Sequence, residues 1–165
     1  MTTSTDRIEK RVFLRAPQEK VWRAISDARE FGDWFGIEFE GEFVCGARAI
    51  GRIKPTRADA EVAQRQAKYA GKRIEFVIER IEPMTIFSYR WHPFAIDPGV
   101  DYSQEPMTLV TFTLEPQEGG TLLRVVESGF DSVPLARRAD AFEANEEGWA
   151  VQMHVVEKYL LLTRP

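Results

Sequence analysis

Apolar and polar residues alternate along most of this chain, and Ile37-Glu38-Phe39-Glu40-Gly41-Glu42-Phe43 does so without a break. A period of two is a strand with one dry face and one wet face. Across residues 138–162 the rhythm changes. Phe142, Trp149, Met153, Val156 and Leu160 recur at spacings of three, four and seven, which gives a helix one apolar stripe. A half-wet sheet must bury its dry face and the helix its stripe. A curved sheet wrapped around the helix satisfies both. The space between them is either a ligand cavity or filled by large side chains.

Along the chain, residues 8–15 predict a first strand with Ile8, Val12 and Leu14 on one face and Lys10 interrupting it. Ala16-Pro17 ends it, and Pro17 suits the first turn of a helix, where a missing N–H is no loss. Val21, Trp22, Ala24 and Ile25 form the buried side of that helix. Asp27 can cap a second one carrying Phe31, Trp34 and Phe35. The alternating segment 37–43 predicts one strand, and 47–53 its partner beyond a turn at Gly46. The inward positions Ala49 and Gly51 are small and leave space. Residues 54–71 break the strand rhythm, and the Ala- and Gln-rich stretch 57–70 predicts a helical insertion, either a lid or a plain surface helix.

Four further strands are predicted over 72–82, 84–91, 107–115 and 121–128. The tight connections Glu82-Pro83-Met84 and Glu118-Gly119-Gly120 make their neighbours antiparallel. The loop 92–106 is long and holds three prolines, a length at which loops are often functional. Gly148 interrupts the final helix, which predicts a close backbone approach or a bend there.

A chain of 165 residues is most simply one domain, 1–165, and buries about 70% of its unfolded surface without disulfides or metals. One cysteine, Cys45, allows no internal disulfide and fits a reducing compartment. The start of the chain is polar and lacks the apolar core of a leader, and no stretch approaches the roughly 20 apolar residues of a membrane span. A cytoplasmic protein is expected. With a net charge of -4 and scattered basic residues, nucleic acid is not an expected partner.

The order strand, two short helices, six strands, long helix is the helix-grip arrangement. The first strand followed by Ala16-Pro17-Gln18-Glu19-Lys20-Val21-Trp22 resembles the entry of the SRPBCC superfamily (START-like, birch-pollen-allergen-like). Glu127-Ser128-Gly129-Phe130 and Glu143-Ala144-Asn145-Glu146-Glu147-Gly148-Trp149 resemble the branch named after the activator of the 90-kDa heat-shock-protein ATPase. The resemblance implies an α+β fold, a curved six- to seven-stranded antiparallel sheet gripping the C-terminal helix. It also implies a cavity that in family members takes lipids, hormones, polyketides or flavonoid-like aromatics. Some members are cyclases. The eponymous co-chaperone carries an additional N-terminal domain for which this sequence has no room, yet a chaperone partner stays open. An oxidoreductase label resembling vanillate demethylase does not fit. One cysteine cannot hold an iron–sulfur cluster, and no Gly-rich dinucleotide loop is present.

No cofactor or metal is expected: His92 and His154 are the only histidines and neither has a ligand at metal spacing. Cys45 and Ser128 lack the flanking pattern of a nucleophile. The chemical anomaly is Glu127, which strand parity places on the dry face beside Leu123 and Val125. A lone buried carboxylate is costly. It therefore either hydrogen-bonds to a neighbouring helix or loop or lies at an exposed strand end, or else it anchors a ligand hydroxyl or moves a proton, with His92 as a candidate partner. Tyr89 and Trp91 point inward with an O–H and an N–H at the end of apolar bodies. The expected ligand site is Trp34, Phe39, Phe76, Tyr89, Trp91, Phe112, Glu127, Trp149 and Met153. The expected function is a non-catalytic carrier or sensor of a small hydrophobic molecule, aromatic or lipid-like. The alternatives are a cyclase- or hydratase-type enzyme and a chaperone-directed interaction protein.

Overall fold

A computed structural model describes residues 6–97 and 99–162; residues 1–5, on which the reading of a leader rested, and Pro98 lie outside them. Strand β1 (Arg7–Leu14) leads into helices α1 (Gln18–Ser26) and α2 (Ala28–Phe35). Strands β2 (Ile37–Phe39) and β3 (Arg48–Ile53) precede α3 (Ala60–Gln66) and a 3-10 turn (Ala67–Tyr69). Strands β4 (Arg73–Glu82), β5 (Ile86–Trp91), β6 (Thr108–Gln117) and β7 (Gly120–Ser128) follow. A second 3-10 turn (Phe130–Ser132) leads to α4 (Leu135–Leu162), which closes the described chain. All strands pair antiparallel in one sheet, in the order β1-β7-β6-β5-β4-β3-β2. This is the α+β helix-grip architecture the residue pattern predicts.

Register makes the dry face concrete. Ile78, Tyr89, Val110, Glu127 and Ile8 are directly paired across β4, β5, β6, β7 and β1. All five are buried. Residues of opposite parity lie on the solvated face, where Arg90 pairs with Glu79 at 3.2 Å and Arg124 with Glu9 at 3.4 Å.

The hollow of the sheet is filled chiefly from α2. The Asp27 carboxylate accepts from the amides of Arg29 and Glu30, both at 3.0 Å, and so starts this helix where expected. Gly36, with φ 103°, ends it in a conformation that favours glycine. Between these ends, Phe31 meets the rings of Trp34, Phe35, Phe39, Phe43, Phe76, Phe87, Tyr89 and Phe112 at centroid distances of 4.9–6.3 Å. The C-terminal helix packs across β1 and α2.

Four local expectations change. The alternation 37–43 is not one strand: β2 ends at Phe39 and the chain bends at Glu40 and Gly41. Phe43 leaves the ladder to pack on Phe39 at 4.9 Å and Phe87 at 5.0 Å, so burial of one ring overrides continued pairing. Pro17 occupies the N-cap of α1, in extended conformation, rather than its first turn. Helix α4 begins at Leu135, three residues before 138. Gly148 marks no close approach, because a Cβ there would meet nothing within 4 Å, and the helix continues through it.

The insertion 54–71 is a bulged-out connection between paired strands. The ladder closes behind it, with Ile53 N donating to Lys72 O at 2.9 Å and Gly71 N to Ile53 O at 2.8 Å. Its helix is shorter than predicted, α3 plus one 3-10 turn, and it is fastened at both ends. Asp59 caps it through the amide of Val62 at 3.1 Å and pairs with Lys158 of α4 at 2.7 Å. Gln66 ties the other end to α2.

Candidate functional site

The open volume nearest the predicted aromatics is not inside the sheet. It is a groove of about 730 Å³ between the insertion and the middle of α4. Val62, Arg65, Gln66, Lys68 and Tyr69 form one wall. Ala144, Gly148, Val151 and Gln152 form the other. Phe35, Trp91 and Trp149 supply its aromatic base.

One backbone atom fixes both walls. The last carbonyls of a helix have no partner within it. That of Phe35, at the end of α2, accepts from Gln66 Nε2 at 3.0 Å and from Gln152 Nε2 at 2.9 Å. The Gln66 amide oxygen in turn accepts from Thr56 N at 2.8 Å. Gln66 lies directly over Gly36, where a Cβ would stand 2.5 Å from its side chain. The left-handed backbone there favours glycine, and any larger residue would push the Gln66 amide off the Phe35 carbonyl.

Beneath the base lies Glu127, fully buried. Its Oε2 accepts from Trp91 Nε1 at 2.7 Å and Thr108 Oγ1 at 2.6 Å. Its Oε1 accepts from Trp149 Nε1 at 2.7 Å and Asn145 Nδ2 at 2.9 Å. All four donors are neutral. They use the lone-pair directions a carboxylate offers, so the charge is stabilised by dipoles alone. The hydrogen-bonded reading of Glu127 is the one realised. A ligand hydroxyl or substrate proton would have to displace an existing donor. His92 is not its partner, since its Nε2 meets the carbonyl of Glu105 at 3.1 Å instead. Tyr89 sits two strands from Glu127, with Val110 between them. Burial first and the Glu127 carboxylate second push its phenol well above the usual tyrosine range, so it stays protonated.

The nine predicted residues separate accordingly. Trp91 and Trp149 line the groove and Glu127 lies under them. Trp34, Phe76, Tyr89, Phe112 and Met153 are core, with Trp34 Nε1 donating to the carbonyl of Ala24 at 2.8 Å. Phe39 lines a second, largely charged depression of about 680 Å³ between α2 and residues 38–43. Phe35, Val62, Gln66, Asn145 and Gln152 were missed. Asn145 and Trp149 stand four apart on α4, one above the other, and that spacing opposite an inward Glu was a usable signal. Among the described residues no three His, Cys, Asp or Glu side chains converge on a metal position. No described helix is long and apolar enough to cross a membrane.

Fold and groove together define a helix-grip domain with a lateral aromatic groove. Residues 15–160 match the family described as Activator of Hsp90 ATPase homolog 1-like protein. The chain belongs to that family, within the SRPBCC superfamily. Protein MLL2253 of Mesorhizobium loti is 23% identical, with a TM-score of 0.69 over 96% of this chain and 99% of that one. The Aha1 dimer of Colwellia psychrerythraea is 17% identical, with a TM-score of 0.66 over 96% and 98%. DynU16, a protein of the dynemicin biosynthetic locus, is 22% identical, with a TM-score of 0.66 over 97% of this chain and 49% of its own. At these identities the likeness is one of fold. Among curated proteins none matches this sequence.

Proposed function

We propose that this protein binds a small, flat hydrophobic molecule, aromatic or lipid-like, in the groove between α3 and α4, as a carrier or sensor rather than a catalyst. The observation that carries the reading is the groove itself: an aromatic base of Phe35, Trp91 and Trp149 within about 730 Å³. That volume falls in the roughly 300–1,000 Å³ of small-molecule sites, which pair apolar walls with a few polar groups. Arg65, Lys68, Asn145 and Glu147 supply those groups at the rim. Binding is favoured over turnover because the one buried carboxylate among the described residues already accepts four hydrogen bonds and His92 is engaged elsewhere. Kinship in fold with a protein of a biosynthetic locus accords with a small-molecule ligand.

The test is native mass spectrometry of the protein with a panel of flavonoids, fatty acids and polyketide-like aromatics, alongside Gly148→Leu. A Cβ at 148 meets nothing within 4 Å, so leucine enters the groove without disturbing the core. Retention of a compound by the wild type and its loss from a normally melting Gly148→Leu is the expected result. Retention of nothing, or equal retention by the variant, defeats the reading and turns attention to a protein partner.

A further inference from the structure

We infer that Glu127 is a positioning residue for the groove: its carboxylate touches no ligand but holds Trp91 and Trp149 in place as a rigid base. This rests on the groove being the binding site. Three of its four donors, Trp91, Asn145 and Trp149, themselves line the groove. The fourth, Thr108, is buried behind it. The oxygens divide the work. Oε2 serves the sheet through Trp91 and Thr108, and Oε1 serves α4 through Asn145 and Trp149. One planar group thus bridges strand and helix and sets the two indoles 6.1 Å apart at 43°.

The charge is what makes the hold firm. A buried carboxylate without a cation depends on every neutral donor it has, so an indole that swings out leaves it short. A base already in its bound form spares the ligand the cost of ordering it. An amide cannot substitute. The NH₂ of glutamine would face one pair of donors, Trp91 with Thr108 or Trp149 with Asn145, and release one indole.

The experiment records the indole N–H resonances of ¹⁵N-labelled protein and the affinity for flavone in wild type, Glu127→Gln and Thr108→Val. In Glu127→Gln the Trp91 and Trp149 resonances move while those of Trp22 and Trp34 stay, and the flavone Kd rises about tenfold. Thr108→Val keeps the side-chain shape and removes one donor from Oε2 only. It moves the Trp91 resonance, leaves that of Trp149, and raises the Kd about two- to fivefold. This variant decides the matter should Glu127→Gln fail to fold. Unmoved indole resonances overturn the inference, as does an unchanged Kd with moved resonances. A wild type that binds no flavone, fatty acid or polyketide-like aromatic defeats the ligand reading alone, and the resonances then still decide whether the carboxylate holds the two indoles.

Discussion

Replacing Trp149 by alanine measures how much of the fold rests on the joint between α4 and the sheet. The residue is 3% exposed, and its ring lies 5.8 Å from Phe35, 6.1 Å from Trp91 and 5.7 Å from Phe112. Deleting a buried tryptophan side chain costs about 3–5 kcal/mol through lost burial and the cavity left behind. The indole N–H also donates to Glu127 at 2.7 Å, and stranding a buried acceptor adds about 1–3 kcal/mol. The vacated space adjoins the groove, so water reaches Glu127 and offsets part of that second term. The expected loss is about 4–6 kcal/mol. With a urea m-value of about 2 kcal/mol/M, the midpoint falls by about 2–3 M at unchanged m. Trp149→Phe keeps most of the ring and loses the donor, so its midpoint falls by about 0.5–1.5 M. Urea titrations followed by far-ultraviolet circular dichroism report both. An alanine variant with the wild-type midpoint refutes the packing argument, and a phenylalanine variant with the wild-type midpoint refutes the hydrogen-bond argument.

Gly148→Ala raises stability by about 0.5–1 kcal/mol, because alanine is the better helix former and its methyl group enters open space; a lower melting temperature would show the space to be occupied. Gln66→Ala removes bonds to the Phe35 carbonyl and the Thr56 amide and lowers stability by about 1–2 kcal/mol, with faster hydrogen exchange confined to residues 54–71. Exchange that rises evenly across the chain contradicts a local latch. The Lys158 ammonium, and then the amide of Val62, hold the Asp59 carboxyl below its usual value. A depressed folded pKa means its contribution is complete above the unfolded value of 3.8 and is lost as pH falls through the lower folded one. Acid therefore loosens α3, seen as falling amide protection over 60–66, and Asp59→Asn abolishes that dependence. Arg137→Ala frees the loop 92–106, since that guanidinium bonds Glu105 at 2.6 Å and the Pro93 carbonyl at 2.9 Å and covers the Tyr102 ring at 4.8 Å. Unaltered exchange there would show the loop to be held by other contacts.

Strand parity was legible because it is local: residues two apart share a face, and Phe87, Tyr89, Phe112, Val125 and Glu127 all fall where alternation puts them. The same rule failed at Gly41, where the pattern continues past the strand's end because Phe43 is buried for another reason. That Glu127 faces inward could be read. That it is satisfied could not, because its partners Thr108, Trp91, Asn145 and Trp149 lie 18 to 36 residues away on three different elements. The groove was hidden for a similar reason. Hydrophobic patterning reports which residues are dry, and says nothing of which helix supplies the rings. Phe31, Phe35 and Trp34 of α2 occupy the space the pattern left open beneath the sheet. The opening moved to the flank of α4, where Gln66 and Gln152, whose polar side chains gave no apolar signal, fix its walls.

The closed ladder behind residues 54–71 makes one wall of the groove exchangeable. Because Ile53 and Lys72 pair as though nothing intervened, the sheet owes no register to the segment between them. A transplanted or lengthened segment needs to keep its fastenings: a glutamine over Gly36, an acidic cap reaching Lys158, and the bonds of residues 54–57 to the Asp33 and Gly36 carbonyls. Between those anchors Val62 is part of the core and must stay apolar, while the exposed groove-facing residues such as Arg65 and Lys68 can vary. A lineage, or an engineer, could then retune what the groove accepts by cassette replacement while the tryptophan base stays constant.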